Sequence, residues 1–144
     1  MKHPKLTAQQ LRDFLSRVPF ATLLGIKLTR VHRDGVTIEC ALRHELTNSF
    51  AVAHGGVAAT LADAAVGMAL NCHFGGKRPI TTVEMKMNYF LPATTTIFAR
   101  ARLIRIGTTL CVGSVDLRDA RGKQLGTALV TYMVLDARRD EARP

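Results

Sequence analysis

The segment from Gly55 to Cys72, GGVAATLADAAVGMALNC, restricts the fold more than any other part of the chain: it has helical periodicity over about 27 Å and carries one charge, Asp63. Val57, Leu61, Ala64, Ala65, Met68 and Cys72 form one apolar stripe, and three and four positions from Asp63 lie Ala59, Thr60, Val66 and Gly67. A helix without a charged side must be buried nearly all round. Flat packing on one neighbour does not achieve that; a sheet curled about the helix does.

The strands for such a sheet are legible on both sides of the helix. Ile26 to His32 alternates, Arg33-Asp34-Gly35 signals a turn, and from Val36 to Leu42 the residues Val36, Ile38 and Cys40 alternate with Thr37, Glu39 and Ala41, giving a hairpin. After the loop HFGGKRP, Val83, Met85, Met87 and Tyr89 alternate with Glu84, Lys86 and Asn88 until Pro92 ends the run. Three more strands follow: Ile97 to Ile106, Leu110 to Leu117 after a break at Gly107, and Leu125 to Leu135 after the turn Asp119-Ala120-Arg121-Gly122. Upstream, Thr7 can cap an amphipathic helix over about 7–18 with Leu11, Phe14, Leu15 and Val18 on one face, which Pro19 stops.

The expectation is a single α+β domain over 1–144, with about six antiparallel strands wrapped around a long central helix and a charged, fraying tail at about 136–144. One sheet face or edge is left to cover, which points to oligomerisation.

Charge and cysteines narrow the partners. The formal charge of +9 favours an anionic partner, but the basic residues are dispersed, with Lys77-Arg78, Arg100/Arg102/Arg105 and Arg138-Arg139 the tightest groups. Aromatics make up 6% and Trp is absent, which argues against a base-stacking platform and so against a nucleic-acid partner. The three cysteines, Cys40, Cys72 and Cys111, are odd in number and lack CxxC spacing, so reduced thiols near the core are expected rather than disulfides or a zinc site. MKHPKLTAQQ has no apolar signal region, and no run reaches the roughly 20 apolar residues of a membrane span, so the expected location is cytoplasmic, without a membrane partner.

The chemistry concentrates at HGGVAATLADAA. Helix-start N–H groups lack intrahelical partners and sit at the positive end of the dipole, so Gly55 and Gly56 offer donors suited to a carbonyl oxygen gaining charge. A glycine pair also serves a tight strand-to-helix bend without any chemistry. Asp63 lies two turns in, too far to cap, with no Lys or Arg between Gly55 and Cys72 to pair with it. Its partner must come from another segment or subunit, and an ionised Asp63 can attack a carbonyl or activate water.

Asn48, His54-Gly55-Gly56, Asp63 and TTVEMKMNYFLPA together resemble the PaaI-like acyl-CoA thioesterases of the hotdog-fold superfamily, over roughly Leu23 to Leu135. The resemblance implies a hotdog fold and homodimers, commonly paired into a homotetramer, with active sites at subunit interfaces. It implies hydrolysis of an acyl-CoA to the acid and free coenzyme A. In that reading the Gly55 amide and the Asn48 side chain hold the thioester carbonyl, Asp63 of the facing subunit is base or nucleophile, and Thr82, with Thr81 the alternative, orients water. His54 joins these as a catalytic candidate that touches substrate or shapes the turn, with a structural histidine the alternative. Further substrate contacts are expected from Gly56, Thr81, Phe50, Arg105 and Gly107, and Phe50, Met68, Phe74 and Met85 are candidates for the acyl pocket. Members of the resembled family often carry a basic residue after a glycine near the position of Gly107, whereas this chain has Gly107-Thr108-Thr109, so Arg105 or Lys77-Arg78 would substitute toward the coenzyme A phosphates. His32, His44 and His73 have no HxxxH or HExxH spacing; no metal and no separate cofactor are expected, since coenzyme A is part of the substrate.

Three other readings stay open at this point. They are a non-catalytic acyl-CoA-binding regulator or sensor, a dehydratase or hydratase pairing His54 with Asp63, and a basic nucleic-acid binder.

Overall fold

A computed structural model describes residues 4–135; the charged segment at 136–144 lies outside them. Thr7 caps α1 (Ala8–Ser16) through a reciprocal capping box: its hydroxyl accepts from the Gln10 N–H at 3.2 Å, and the Gln10 side chain accepts from the Thr7 N–H at 2.9 Å. Leu11 and Leu15 of α1 are buried. This helix is shorter than expected because Pro19 does more than stop it. Proline suits the first position of a helix, and here it opens α2 (Pro19–Leu24), which the sequence reading did not foresee; Gly25, at φ 71°, closes it.

The strands are β1 (Ile26–His32), β2 (Gly35–Cys40), β3 (Ile80–Tyr89), β4 (Ile97–Ile106), β5 (Leu110–Asp119) and β6 (Gln124–Val134), and the central helix α3 spans Gly55–His73. All neighbours pair antiparallel in the order β1-β2-β4-β5-β6-β3. This is the hotdog architecture: six antiparallel strands around one long helix. The edges are therefore β1 and β3, because β3 crosses over to pair with β6 instead of β4.

By length and composition α3 is apolar enough to cross a membrane, yet Leu61, Ala62, Ala65, Val66 and Leu70 are wholly covered by the sheet. Gly113 on β5 permits the close approach, since a Cβ there would lie 2.8 Å from the Val66 methyl groups. Burial is not complete all round, however. Ala58, Ala59, Thr60, Asp63 and Ala64 are only half-covered within one chain. Cys40, Cys72 and Cys111 are free and buried, and burial pushes all three thiols up.

Candidate active site

The N-terminus of α3 is pinned on every side but one. His54 is its N-cap and accepts the Gly56 N–H at Nδ1 at 2.9 Å, which puts the ring proton of the neutral side chain on Nε2. The His54 N–H donates to Leu46 O at 2.8 Å, and its carbonyl accepts from the Val57 N–H at 2.9 Å. Tyr89, the last residue of β3, donates its hydroxyl to Gly55 O at 3.0 Å. A Cβ on Gly55 would sit 3.4 Å from the Tyr89 ring, so the glycine lets the aromatic side chain lie against the helix start. What remains is the Gly55 N–H, which makes no hydrogen bond among the described residues. The expectation that Gly56 supplies a second free donor is corrected by the His54 cap.

Asn48 carries a second uncommitted donor. Its side-chain oxygen accepts from the Phe50 N–H at 2.9 Å and the Val52 N–H at 3.4 Å, closing a loop in which Ala51 adopts φ 59°. The carboxamide oxygen is thus committed, while the NH2 group has no partner among the described residues. Asn48 and Gly55 line one apolar cavity of about 330 Å³, walled by Val52, Ala53, Tyr89, Leu91, Ile97 and Leu117 among others.

A second centre lies further along α3. Thr82 and Tyr132 face each other directly in the β3–β6 ladder, so both side chains project from one face of the sheet, toward α3. Thr82 Oγ1 and the Tyr132 hydroxyl each donate to Asp63 Oδ1 at 2.8 Å, and Tyr132 also lies 2.9 Å from the Asp63 carbonyl. Burial pushes the Tyr132 phenol well above its ordinary range, so it stays protonated and donates. Gly67 makes room: a Cβ there would lie 2.7 Å from the Tyr132 oxygen. Thr81 pairs with Met133 on the opposite, exposed face, so of the two threonines it is Thr82 that meets Asp63. A bulge between Thr82 and Glu84 turns the strand just beyond this contact.

Other anticipated residues fall elsewhere. Phe50 is 83% exposed at a loop tip, Met68 and Phe74 are buried core residues, and Met85 packs half-buried against the core, so none of the four lines the cavity beside Asn48. Gly107 belongs to the β4–β5 turn, where its N–H donates to Leu110 O at 3.1 Å and a Cβ would lie 2.4 Å from that oxygen. Lys77, Arg78, Thr108 and Thr109 line a separate polar cavity at the far end of α3; Arg105 is exposed on β4 and does not line it. Arg78 is held over the Phe74 ring at 5.3 Å and donates to Thr108 O at 3.4 Å. Among the described residues, no three His, Cys, Asp or Glu side chains are grouped to hold a metal ion.

Sequence reasoning passed over Tyr132, Gly67 and Tyr89. A tyrosine in an alternating strand reads as packing, and only the fold brings Tyr132 to a residue 69 positions away.

Comparison with known proteins gives a consistent picture. The Thioesterase superfamily matches residues 50–125. Acyl-coenzyme A thioesterase 13 of Homo sapiens is 35% identical over 123 residues, covering 80% of this chain and 87% of the relative. The medium/long-chain acyl-CoA thioesterase YigI of Escherichia coli is 26% identical over 150 residues, covering 90% and 97%. Among solved structures, a thioesterase from Haemophilus influenzae superposes with a TM-score of 0.85 at 22% identity, covering 94% of this chain and 96% of that one. The Escherichia coli PaaI protein superposes with a TM-score of 0.80 at 17% identity over 89% and 92%.

Proposed function

This chain belongs to the Thioesterase superfamily, and from that premise we propose that it hydrolyses an acyl-CoA thioester to a carboxylic acid and free coenzyme A. The observation that carries the reading is the pair of uncommitted donors, the Gly55 N–H and the Asn48 NH2, on one apolar cavity. Such a pair suits a thioester carbonyl whose oxygen gains negative charge as the tetrahedral intermediate forms, with the acyl group in the cavity.

Asp63 is eight residues beyond Gly55, about 12 Å along the helix, too far for one chain's carboxylate to reach a carbonyl held at its own Gly55. A second copy with its α3 running antiparallel alongside brings its own Asp63 to that carbonyl. The half-covered face of α3 and the exposed edge strand β3 support this pairing. Antiparallel edge pairing centred on Met85 sets Glu84 against Lys86 of the other copy twice over, a self-complementary register.

In the general-base route, Asp63 takes a proton from water, the hydroxide adds to the carbonyl carbon, and collapse of the intermediate breaks the C–S bond. The sulfur leaves as a thiolate and is reprotonated. In the nucleophilic route Asp63 forms an anhydride that water then opens. Single turnover in labelled water separates the two: the general-base route puts the label in the product acid, and the anhydride route puts it in Asp63 when water opens the aspartyl carbonyl. Lys77 and Arg78, about 15 Å past Asp63 by the ten helical residues to His73, suit the coenzyme A phosphates, with the pantetheine arm spanning the gap.

The test is thiol release by the purified protein against a panel of aryl and aliphatic acyl-CoAs. Asp63→Asn is expected to lower kcat by about 10²–10⁴-fold with the fold retained. Wild-type turnover by that variant would refute the role of Asp63, and binding across the panel without hydrolysis would favour an acyl-CoA sensor.

A further inference from the structure

Tyr132 is placed with more care than packing requires. It is 6% exposed on the concave face of the sheet, where a phenylalanine ring would fill the same space without a polar atom to satisfy. Its hydroxyl meets Asp63 twice, at Oδ1 at 2.8 Å and at the backbone carbonyl at 2.9 Å, and also hydrogen-bonds with the Thr82 side chain. The helix concedes a position to this contact. Glycine is less favourable than alanine in a helix interior, yet Gly67 stands one turn beyond Asp63, where any side chain would strike the Tyr132 oxygen at 2.7 Å.

Both hydroxyls, from Thr82 and Tyr132, converge on the same carboxylate oxygen, and Oδ2 has no partner among the described residues. A carboxylate held at one oxygen by two donors cannot exchange its oxygens by rotation without losing both bonds. We propose that Tyr132 is a positioning residue that, together with Thr82, anchors Oδ1 of Asp63 so that Oδ2 is the oxygen presented to water or thioester. This rests on the acyl-CoA hydrolase reading above. It adds a member to the site that acts only through Asp63, and it explains Gly67 as the space that member needs.

The experiment is a double-mutant cycle in the full-length protein, with kcat and KM measured by thiol release on a substrate the wild type hydrolyses and melting temperatures measured alongside. Tyr132→Phe keeps the ring and removes the anchor; kcat is expected to fall about tenfold to a hundredfold, with KM within about twofold. Gly67→Ala, which displaces the hydroxyl, is expected to lower kcat comparably, and the double variant to turn over no more slowly than Tyr132→Phe alone. A structural tie between sheet and helix would lower the melting temperature of Tyr132→Phe and leave kcat at the wild-type value, which overturns the proposal. Full additivity of the two losses in kcat also overturns it. If Asp63→Asn abolishes turnover and Tyr132→Phe keeps the wild-type kcat, this inference alone fails. If the wild type hydrolyses no acyl-CoA, the functional reading fails first and takes this one with it.

Discussion

The peptide groups of Gly55 are held in place by neighbouring side chains. Its carbonyl is fixed by Tyr89 and the next N–H by His54, so the one free N–H points where the fold puts it. Removing the Tyr89 hydroxyl in Tyr89→Phe loosens that plane without opening the cavity, and is expected to lower kcat about two- to tenfold in the thiol-release assay. An unchanged kcat would show that the His54 cap alone suffices. At this scale the sequence disclosed the conspicuous groups: Asp63 stands alone in an uncharged run, and His54-Gly55-Gly56 marks a helix start. It did not disclose Tyr89 or Tyr132, because each looks like an ordinary strand aromatic and meets its partner 34 or 69 residues away. The expected acyl-pocket residues lie away from the cavity beside Asn48, and the sequence was silent on this for a related reason. Apolar character identifies Met68 and Phe74 as buried, but it does not say that they face the core instead of the cavity.

Among the elements, strand alternation and turn residues located all six strands to within about two residues, since half-buried strands write a period of two into the chain. The helix α2 was missed because six residues carry too little periodicity to declare themselves. The β1–β2 hairpin carries its own pH dependence. His32 bonds Thr37 at 2.8 Å, and burial, followed by the nearby Arg100 and Arg30, holds its imidazole below the usual value of 6.5. The folded state therefore resists protonating it. That contribution to stability is complete above 6.5 and is lost as pH falls through the lower folded-state value. Asp34, held below its usual range by a hydrogen bond from Arg100, acts in the same direction at still lower pH. The melting temperature is expected to drop between about pH 7 and about pH 5, and to drop less in His32→Gln. Equal slopes in the two proteins would remove His32 from the account.

For the molecule as a whole, one helix with a single charge and no charged side was enough to require a wrapped sheet, and six antiparallel strands around α3 are what the structure contains. The strand order was not legible: nothing local tells β3 to pair with β6 and leave itself at an edge. That edge matters, because it leaves β3 and the half-covered face of α3 available to a second copy. In the proposed arrangement two chains share each site, with Asn48 and Gly55 from one and Asp63 from the other. Subunit complementation is the decisive experiment. Asn48→Asp keeps the oxygen that closes the loop and removes the NH2 donor, while Asp63→Asn removes the carboxylate; each alone is expected to be inactive. Co-expressed with different tags and purified through both, the mixed species contains intact sites made of one wild-type half from each chain. Recovery of about a quarter to a half of wild-type thiol release is the predicted result. Activity no higher than that of either variant alone would contradict the shared site.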